Sequence, residues 1–569
     1  MLSNKLLKIK LNIIDYFVGL VAIFAFLLLL VENEVFLSPY KHLIDTINVA
    51  ILAIFMGNVL LEFSLSKIKM QHLKSNWLDL IVFLPLIQFI RGIESMALYV
   101  LMRQLIIIVM LVSRIRKSTK FITLLSLRPT QLMVVSFSFT IGVGAILLML
   151  PVATQSSVKT SLIDALFTAT SATCVTGLIV KDTASYFSLF GQLVIVSLIQ
   201  IGGLGIMTFS VSLALFMRKR VDIKRELIMQ DVLDQDTLTD IKDLILFIVK
   251  MTLFFELIGA VVLFALWKNI FISIPWTIYY SIFHSISAFC NAGFSTFSNN
   301  LMNLSNDIFT NATICLLIIF GGLGFVVIKD IHGNIKDKFI HRRTKRLRLR
   351  IQTKIVLLST ILLISIGSVV IFFIEKDNTL ISLDTKEKVV TSVFQSITSR
   401  TAGFNTCDIS TVSSATLFLI MMLMFIGACP GSTAGGIKTT TLSVLWATIV
   451  SNFRQRENVE ISRRIIPSEV VQKAMTVLVT SLMIVFIFTS LLLYLEKKMF
   501  IDVLFETISA FGTTGLSTGI TPELSAKGKL LIMLLMFIGR LGPLTVGYAF
   551  TKRRKKVKYY YAEERVMIG

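Results

Sequence analysis

The chain has 569 residues, of which 55% are hydrophobic and only 16% are charged. Ordinary soluble domains are about 45–50% apolar and about 25% charged, so this composition excludes a water-soluble fold as the default and indicates a polytopic membrane protein. The 56 lysines and arginines exceed the 34 aspartates and glutamates. In a membrane chain such an excess marks cytoplasmic loops, which leaves nucleic-acid binding as a minor alternative.

Four apolar runs are predicted to cross the membrane within residues 1–125, as an N-terminal transmembrane extension. A helix needs about 20 residues to cross the hydrocarbon layer. The runs lie near 11–31, 45–66, 77–91 and 97–113. The first follows a basic stretch but has no small-residue cleavage site, so it is predicted to be retained and not removed as a signal peptide.

The extension weakly resembles a voltage-sensor bundle, through the segment at 76–85, Glu62 and Arg103. A working sensor helix carries several arginines at three-residue intervals. Only Arg103 lies within a predicted span, whereas Arg114 and Arg116 are typical of positive-inside anchors. A structural or regulatory bundle is therefore favoured over a voltage sensor.

Eight further spans are predicted beyond the extension, followed by a basic tail at 553–569. Basic clusters fall on alternate connections between the spans, which predicts twelve spans with both termini in the cytoplasm. The eight spans lie near 131–151, 188–217, 243–266, 308–328, 354–374, 413–447, 470–494 and 528–549.

Short segments with glycine as the last residue but one recur between paired spans: TSATCVTGL, SAFCNAGF, TSRTAGF and SAFGTTGL. These glycines are separated by 116, 110 and 112 residues, at Gly177, Gly293, Gly403 and Gly515. Near-equal periods predict one structural unit used four times. The resulting pore module covers 126–558, with repeats at about 126–220, 240–330, 350–450 and 468–552.

Each glycine follows ten or so semi-polar residues, too few to span, and precedes a second glycine cluster inside the next span. The predicted unit is helix, half-helix, glycine turn, helix. Ser161 and Asp164 are typical of a helix N-cap, which would start the first half-helix there.

The predicted unit favours ion conduction. Backbone exposed at membrane depth is tolerated only where it is buried in protein or lines a watery cavity. Glycine adopts positive φ freely, so a turn such as 175–178 can aim carbonyl oxygens at a shared axis and replace an ion's hydration shell. The half-helices turn their partly negative C-terminal ends toward that cavity, which favours a cation. Glycines that only relieve helix packing would suit one repeat but explain four poorly.

Four further motifs, QIGGLG (200–205), SRTAGFN (399–405), GSTAGGIKTTT (431–441) and FIGRLGP (537–543), complete a pattern. Together with the glycine segments they resemble the Trk/Ktr/HKT superfamily of potassium transporters over about 126–558, most nearly the bacterial Ktr- and Trk-type translocating subunits. The resemblance implies an all-α integral membrane protein with four M1-P-M2 repeats around a central pore. It also implies a homodimer in the cell membrane and a cytosolic ring of nucleotide-binding (RCK-type) regulatory subunits.

In this superfamily, glycine at all four key filter positions goes with K⁺ selectivity, whereas serine in the first repeat goes with Na⁺ transport. All four positions are glycine here. The third repeat has one residue fewer between Phe394 and its glycine, which leaves the carbonyl register of that segment open. The resemblance implies K⁺ ligation by filter carbonyls of Thr173, Cys174, Val175, Thr176, Gly177, Cys290, Asn291, Ala292, Gly293, Thr401, Ala402, Gly403, Gly512, Thr513, Thr514 and Gly515.

The segment GACPGSTAGGIK (427–438) interrupts a long apolar stretch. Glycine costs about 1 kcal/mol and proline about 3 kcal/mol inside a helix, so the helix is predicted to break there. By resemblance this is an intramembrane gate loop, and a passive kink is the alternative. Two of its glycines have the Walker spacing, but isoleucine stands where the lysine belongs, so ATP hydrolysis is not predicted. The expected gate residues are Gly427, Gly431, Ser432, Thr433, Gly435, Gly436 and Lys438.

Charged residues inside the predicted spans need a physical reason, because burying a charge there costs at least about 2.5–3.5 kcal/mol. The resemblance assigns Arg540 to the gate, with a simple salt bridge between repeats as the alternative. Arg400 is expected to be a filter scaffold that donates to filter carbonyls or pairs with Glu506. Glu256 and Lys250 are expected to pair with each other or to snorkel.

The sequence thus predicts K⁺ uptake through a four-repeat filter, without covalent chemistry and without a cofactor in this chain. Na⁺ is a candidate activating ion. A Na⁺ or Na⁺-coupled transporter of the same fold is the main alternative. A membrane-embedded signalling or enzyme subunit is a second alternative, although the sequence offers no catalytic constellation for it.

Overall fold

The computed structural model describes residues 41–65, 129–156, 159–205, 238–271, 273–339 and 349–551, together with 18, 21, 69, 82, 83, 106 and 564. The chain divides into two compact units, residues 1–127 and 128–569. In the first unit, helix α1 covers Lys41–Leu65, and Asn58 donates to the carboxylate of Glu62 at 2.9 Å. The other spans predicted in this unit, with Arg103, Arg114 and Arg116, lie almost entirely outside the described residues.

The second unit consists of helices in four sets, each with a long helix, a short helix and a second helix that is bent or broken in three sets. The first set is α2 (Pro129–Met149), α3 (Leu162–Thr173) and α4 (Leu189–Gly203), and the second is α5 (Leu238–Trp267), α6 (Ile274–Phe289), α7 (Ile308–Leu323) and α8 (Phe325–Phe339). The third is α9 (Ile351–Glu375), α10 (Thr385–Thr398), α11 (Ser414–Phe425) and α12 (Thr439–Phe453). The fourth is α13 (Ser468–Glu496), α14 (Phe500–Gly512), α15 (Ala526–Leu541) and α16 (Pro543–Phe550).

Other regular structure in the described chain is short. Strands β1 (Glu460–Ile461) and β2 (Arg464–Ile465) pair antiparallel in a small hairpin between the third and fourth sets. Single turns of 3₁₀ helix lie at Pro151–Ala153, Met302–Leu304, Ile409–Thr411 and Thr521–Glu523. The predicted all-α fold class is confirmed. The end of the span predicted at 188–217 and the basic tail lie largely outside the described residues.

Side-chain caps fix where several of these helices begin. The predicted cap of the first short helix is confirmed, because the Ser161 hydroxyl accepts from the Asp164 amide at 3.1 Å. An N-cap hydroxyl or carboxylate satisfies one of the amides that a helix leaves unpaired at its start. The same device begins the second long helix in every set, at Ser188, Asp307, Ser413 and Ser525.

Two predicted spans are not straight. The paths of α7 into α8 and of α15 into α16 each turn by 97°. Gly324 and Gly542 stand at the turns with φ of +88° and +84°, a backbone conformation that ends an α-helix and that glycine adopts at little cost. The spans predicted at 308–328 and 528–549 each contain such a bend, which the sequence did not predict, and the predicted break of the third set's helix between Phe425 and Thr439 is confirmed.

The four sets close into a cycle. The second long helix of each set packs against the short helix of the next, in the pairs α4 with α6, α7 with α10, α11 with α14 and α15 with α3. A salt bridge of 2.7 Å between Lys529 and Asp164 joins the last set to the first. The Tyr279 hydroxyl donates to Gln192 at 2.7 Å across the next junction. The short helices are therefore enclosed between neighbouring sets.

The outer surface of the second unit is suited to lipid. Within the described residues, three helices are long and apolar enough to span a membrane (Ile245–Trp267, Ile351–Glu375 and Ser468–Glu496), or five spans if each bent pair is one. Large apolar side chains on them are exposed, among them Leu358 at 69%, Ile361 at 64% and Phe486 at 74%. Exposed apolar area on this scale is unfavourable in water and typical of a membrane interface.

Three glycines allow the long helices to touch the ends of the short ones. A Cβ atom at Gly202, Gly321 or Gly539 would lie 2.0, 1.9 or 2.0 Å from a backbone carbonyl oxygen of a short helix. The oxygens belong to Thr173, Phe289 and Phe511. Backbone cannot rotate away as a side chain can, so these positions accept no larger residue without a shift of the helices.

We expect Gly321→Ala to destabilise the fold by about 1–3 kcal/mol, because the added methyl group overlaps the Phe289 carbonyl oxygen. Gly142→Ala is the matched control, since a Cβ there has no atom within 4 Å and alanine is the better helix former. The midpoint of thermal unfolding of the purified protein in detergent should fall for the first variant only. Equal midpoints would contradict the close approach.

Candidate ion-conduction site

The four predicted filter glycines meet around one centre. A Cβ atom at Gly177 would lie 2.5 Å from the carbonyl oxygen of Ala292 in the next set. The other glycines relate in the same way to the next set: Gly293 to Ala402 at 2.7 Å, Gly403 to Thr514 at 2.3 Å and Gly515 to Thr176 at 2.2 Å. The last contact returns to the first set, so the four segments form a closed ring. We call residues 175–177, 291–293, 401–403 and 513–515 the glycine segments.

All four glycine segments have the same backbone conformation. Their glycines have φ between +68° and +90°, and the residue two positions earlier in each segment is also left-handed. Those residues are Val175, Asn291, Thr401 and Thr513, with φ of +56°, +59°, +77° and +51°. Such values are rare for residues with a side chain and persist only where surrounding contacts impose them.

The third set has one residue fewer than the others between its buried phenylalanine and its glycine, and the backbone is shorter just before the glycine segment. In the first set, the Thr176 amide donates to the Ser171 carbonyl, five residues back, at 2.8 Å. In the third set, the Ala402 amide donates to the Thr398 carbonyl, four residues back, at 3.0 Å. Thr401 and Gly403 have the same left-handed φ as the corresponding residues of the other segments, so the shortening is accommodated before Thr401, while the role of the Thr401 and Ala402 carbonyls as ion ligands stays a prediction.

A hydroxyl side chain ties each glycine segment to its short helix. Ser171 and Ser509 accept from the amides of Gly177 and Gly515, both at 3.1 Å. In the other two sets the hydroxyl instead donates to the carbonyl just after the glycine, from Ser287 to Phe294 at 2.7 Å and from Thr398 to Phe404 at 2.8 Å. The sequence analysis missed these residues, although a serine or threonine five or six positions before each glycine was a usable signal.

The ends of the short helices add a favourable field for a cation. Helices α3, α6, α10 and α14 end three to five residues before the glycines of the ring, so their unpaired carbonyls and partly negative ends lie next to it. Of the predicted filter residues, those from Val175, Asn291, Thr401 and Thr513 up to each glycine form the ring. Thr173, Cys174, Cys290 and Gly512 lie at the helix ends beside it.

The break in the third set's helix is an ordered loop at 426–438. The backbones of Ile426 and Ile437 form an isolated parallel β-bridge, so the start and the end of the loop lie side by side. Glycine makes this crossing possible, because a Cβ at Gly427 would lie 2.2 Å from the carbonyl oxygen of Gly435. Lys438 donates to the Ala434 carbonyl at 2.7 Å, which braces the loop internally.

The 426–438 loop contacts the glycine segment of the fourth set and the end of the second set's short helix. The Gly435 amide donates to the Thr513 hydroxyl at 3.1 Å, and the Thr433 hydroxyl donates to the Phe289 carbonyl at 3.3 Å. The loop is also bound to the bend of the second set, where the Phe325 amide donates to Gly431 at 3.0 Å. Of the predicted gate residues, Thr433 and Gly435 therefore lie nearest the ring, whereas the Ser432 hydroxyl bonds only within the loop.

Arg540 joins this loop to two other sets. It lies on α15, and its guanidinium donates to the carbonyl oxygens of Thr433 in the loop and Gly202 on α4. Two carbonyl partners, and no carboxylate, satisfy this side chain in the described part of the chain. The alternative of a simple salt bridge between repeats was therefore wrong.

The predicted pairing of Arg400 with Glu506 was also wrong. Arg400 lies beside Cys429 in the loop, and its Nε has no hydrogen-bond partner among the described residues. It does not pair with Glu506, whose two oxygens accept from Ser517 and Thr521. A scaffold role for Arg400 stays a prediction, with the loop as its neighbour.

The carboxylate of Glu256 is buried and accepts from Gln200 of the first set at 3.1 Å, so it does not pair with Lys250. Gln200 lies one helical turn or less from Gly202, the carbonyl partner of Arg540. The sequence spacing suggested that Glu256 pairs with a residue of its own helix. The packing of α4 against the second set instead brings Gln200 within hydrogen-bond distance of Glu256.

Residues 95–559 match the family model TrkH, described as a cation transport protein. The chain belongs to this family. The superfamily resemblance is thereby confirmed. The solved structure of the potassium transporter TrkH from Vibrio parahaemolyticus matches with a TM-score of 0.62 at 17% identity, covering 78% of this chain and 90% of that one. At that identity the match shows the shared TrkH fold alone.

Several curated relatives are similar over most of their length. The Ktr system potassium uptake protein B of Bacillus subtilis is 42% identical over 436 residues, which is 76% of this chain and 95% of the relative. The protein of the same name from Vibrio alginolyticus is 39% identical, covering 77% of this chain and 94% of the relative. The potassium/sodium uptake protein NtpJ of Enterococcus hirae is 37% identical, covering 78% and 98%.

We expect Ser171→Ala to lower the free energy of unfolding by about 1–3 kcal/mol, because it leaves the buried Gly177 amide without its acceptor. Ser197→Ala is the control, since that exposed hydroxyl only bonds the Leu193 carbonyl of its own helix. Thermal unfolding of the purified variants measures the difference. Equal stability of Ser171→Ala and Ser197→Ala would show that the bond from the Gly177 amide to the Ser171 hydroxyl does not stabilise the fold.

Proposed function

We propose that this TrkH-family chain takes up K⁺ across the cell membrane through a pore whose filter is the ring of glycine segments. The observation that supports this most directly is the closed cycle of glycine and carbonyl contacts from Gly177 through Gly293 and Gly403 to Gly515. A ring of carbonyl oxygens can replace the hydration shell of an alkali cation. The names of two of these relatives, both called Ktr system potassium uptake protein B, support the choice of K⁺.

The proposed ion ligands are the backbone carbonyls of the glycine segments and of the helix ends next to them. Side-chain oxygens add to the supply: the hydroxyls of Thr173, Thr176 and Thr514 are buried without a partner among the described residues. Buried polar groups in native proteins nearly always have a partner, so an ion or its water is a reasonable one here. Uptake would proceed without covalent chemistry and without a cofactor in this chain.

The 426–438 loop is the proposed gate. It lies against the fourth glycine segment and the end of the second set's short helix, and Arg540 fastens it to the first and fourth sets. A positive guanidinium next to a cation path also raises the energy of an ion there. Opening would require the loop to leave Thr513, Phe289 and Arg540.

The remaining features follow from family kinship and from charge. The basic connections favour a cytoplasmic location for both termini. A homodimer and a cytosolic ring of nucleotide-binding subunits are proposed as the assembly, consistent with relatives named as proteins of a Ktr system. Na⁺ is proposed as an activating ion, since one relative is named a potassium/sodium uptake protein. The 1–125 extension is proposed as structural or regulatory.

We expect the chain to restore growth at low K⁺ to a bacterium that lacks its own K⁺ uptake systems. Gly177→Ser should raise the ratio of Na⁺ to K⁺ uptake at least about tenfold, because a side chain there meets the Ala292 carbonyl oxygen and disturbs the ring. Gly142→Ser is the control, in open space on α2. Isotope flux into reconstituted vesicles measures both ions.

Failure of the wild-type chain to support growth at low K⁺, together with greater sensitivity to Na⁺, would favour the Na⁺ transporter alternative. Unchanged selectivity in the Gly177→Ser variant would count against carbonyl ligation at the ring, even if K⁺ uptake itself were established.

For the gate, we expect Arg540→Gln to increase K⁺ flux several-fold in vesicles without any partner subunit. The variant removes the charge and weakens two charge-assisted bonds, each worth roughly 1.5–3 kcal/mol. Lys527→Gln, an exposed lysine at the start of the same helix, is the control. A decrease or no change in flux, with the protein still folded, would contradict a gating role for the loop contact.

A further inference from the structure

A buried polar residue occupies the same place in each short helix. Every short helix buries a phenylalanine: Phe167, Phe283, Phe394 and Phe505. The next residue along the chain differs from set to set but is always polar and at most 2% exposed: Thr168, His284, Gln395 and Glu506. It precedes the ring glycine by nine residues, or by eight in the shortened third set.

In the fourth set, Glu506 holds the chain just beyond the ring. One carboxylate oxygen accepts from the Ser517 hydroxyl, and the other accepts from the Thr521 hydroxyl at 2.9 Å. The Ser517 oxygen also accepts from the Gly519 amide at 2.9 Å. No cation pairs with Glu506 within the described part of the chain. A buried carboxylate is costly unless hydrogen bonds satisfy it, so these bonds fix the loop that follows Gly515.

In the second set, His284 makes the corresponding contact. Its Nδ1 lies 2.8 Å from the Tyr280 carbonyl, which can only accept, so Nδ1 carries the proton. The other ring nitrogen, Nε2, lies 2.9 Å from the Ser295 hydroxyl. Ser295 stands two residues after Gly293, as Ser517 stands two residues after Gly515. The two sets therefore use different side chains for one contact.

The first and third sets lack this contact. The Thr168 hydroxyl donates to the Asp164 carbonyl of its own helix at 2.9 Å, and Ile179 occupies the position two residues after Gly177. The Gln395 amide has no hydrogen-bond partner among the described residues. Each glycine contacts the next set in chain order, so the second and fourth sets lie opposite each other across the ring.

We propose that Glu506 and His284 are positioning residues that anchor the outer ends of two opposite filter segments and thereby set the discrimination of K⁺ from Na⁺. The inference rests on the proposed function. The ring must keep its oxygens at the spacing that suits a dehydrated K⁺, and a smaller ion gains if the ring relaxes inward. A serine held two residues beyond the glycine fixes one end of a segment, and two opposite anchors fix one diameter of the ring.

The first experiment compares Glu506→Gln with the wild-type full-length chain in vesicles, by uptake of K⁺ or Rb⁺ and of Na⁺. The amide keeps the shape but loses the charge that strengthens both bonds. We expect the preference for K⁺ over Na⁺ to fall at least about fivefold, as expected for the loss of one charge-assisted hydrogen bond. Thr168→Val is the matched control at the same position of the first set and should keep the preference within about twofold, since only a bond within its own helix is lost.

The selectivity ratio separates anchoring from general damage. A variant that merely folds less well lowers the uptake of both ions together, whereas a loosened ring changes their ratio. Ser517→Ala provides an independent route, because it removes the partner and keeps the carboxylate. We expect it to shift the ratio in the same direction, and the double variant to shift it by less than the product of the two single effects. His284→Gln should also shift the ratio toward Na⁺.

Wild-type vesicles that take up no K⁺ would overturn the proposed function. Wild-type vesicles that select K⁺, combined with unchanged ratios in Glu506→Gln and Ser517→Ala, would overturn only the anchoring role. If Glu506→Gln does not fold, Ser517→Ala and His284→Gln decide the question, and unchanged ratios in both contradict the inference.

Discussion

The contact on which this structure depends is the approach of each ring glycine to the carbonyl oxygen of the next segment, at a distance that leaves no room for a side chain. The contact runs in one direction around the ring and closes after four steps. Its tightness constrains everything outside it. The short helices must end beside the ring, and three long helices must carry glycine where they touch those helix ends. The ring therefore brings together glycines that lie more than 300 residues apart in the chain, such as Gly177 and Gly515.

Several charged side chains buried in the second unit have hydrogen-bond partners but no ion pair among the described residues. Arg540 donates to two carbonyls, Glu256 accepts from an amide, and Glu506 accepts from two hydroxyls. Buried ions need hydrogen bonds to offset the loss of water, and neutral partners supply them without cancelling the charge. A charge that no counter-ion neutralises keeps its electric field, and that field changes the energy of any ion that passes near it.

The sequence predicted the fold class, the four glycines at the ring, the first helix cap and the break after Phe425, because each follows from local chemistry: periodicity, spacing, a serine before an acidic residue, proline among glycines. It did not predict the bends at Gly324 and Gly542, since a glycine in an apolar run does not reveal its φ. It also predicted wrong pairings for Arg400 with Glu506 and for Glu256 with Lys250. The partner of Glu256 belongs to another set and only the cyclic packing brings it within reach, whereas Arg400 lies beside Cys429 of its own set. The ion ligands and the gate stay predictions that transport measurements must test.

Among the described residues, a loop like 426–438 occurs in the third set alone, yet it touches the second and fourth sets and meets an arginine that also reaches the first. A pore assembled from four identical chains would have to carry such a plug either four times or not at all. Fusion of the four units into one polypeptide removes that symmetry requirement. If the proposed gating role holds, one loop can close the path alone, and its displacement, with no concerted motion of four loops, is enough to open it.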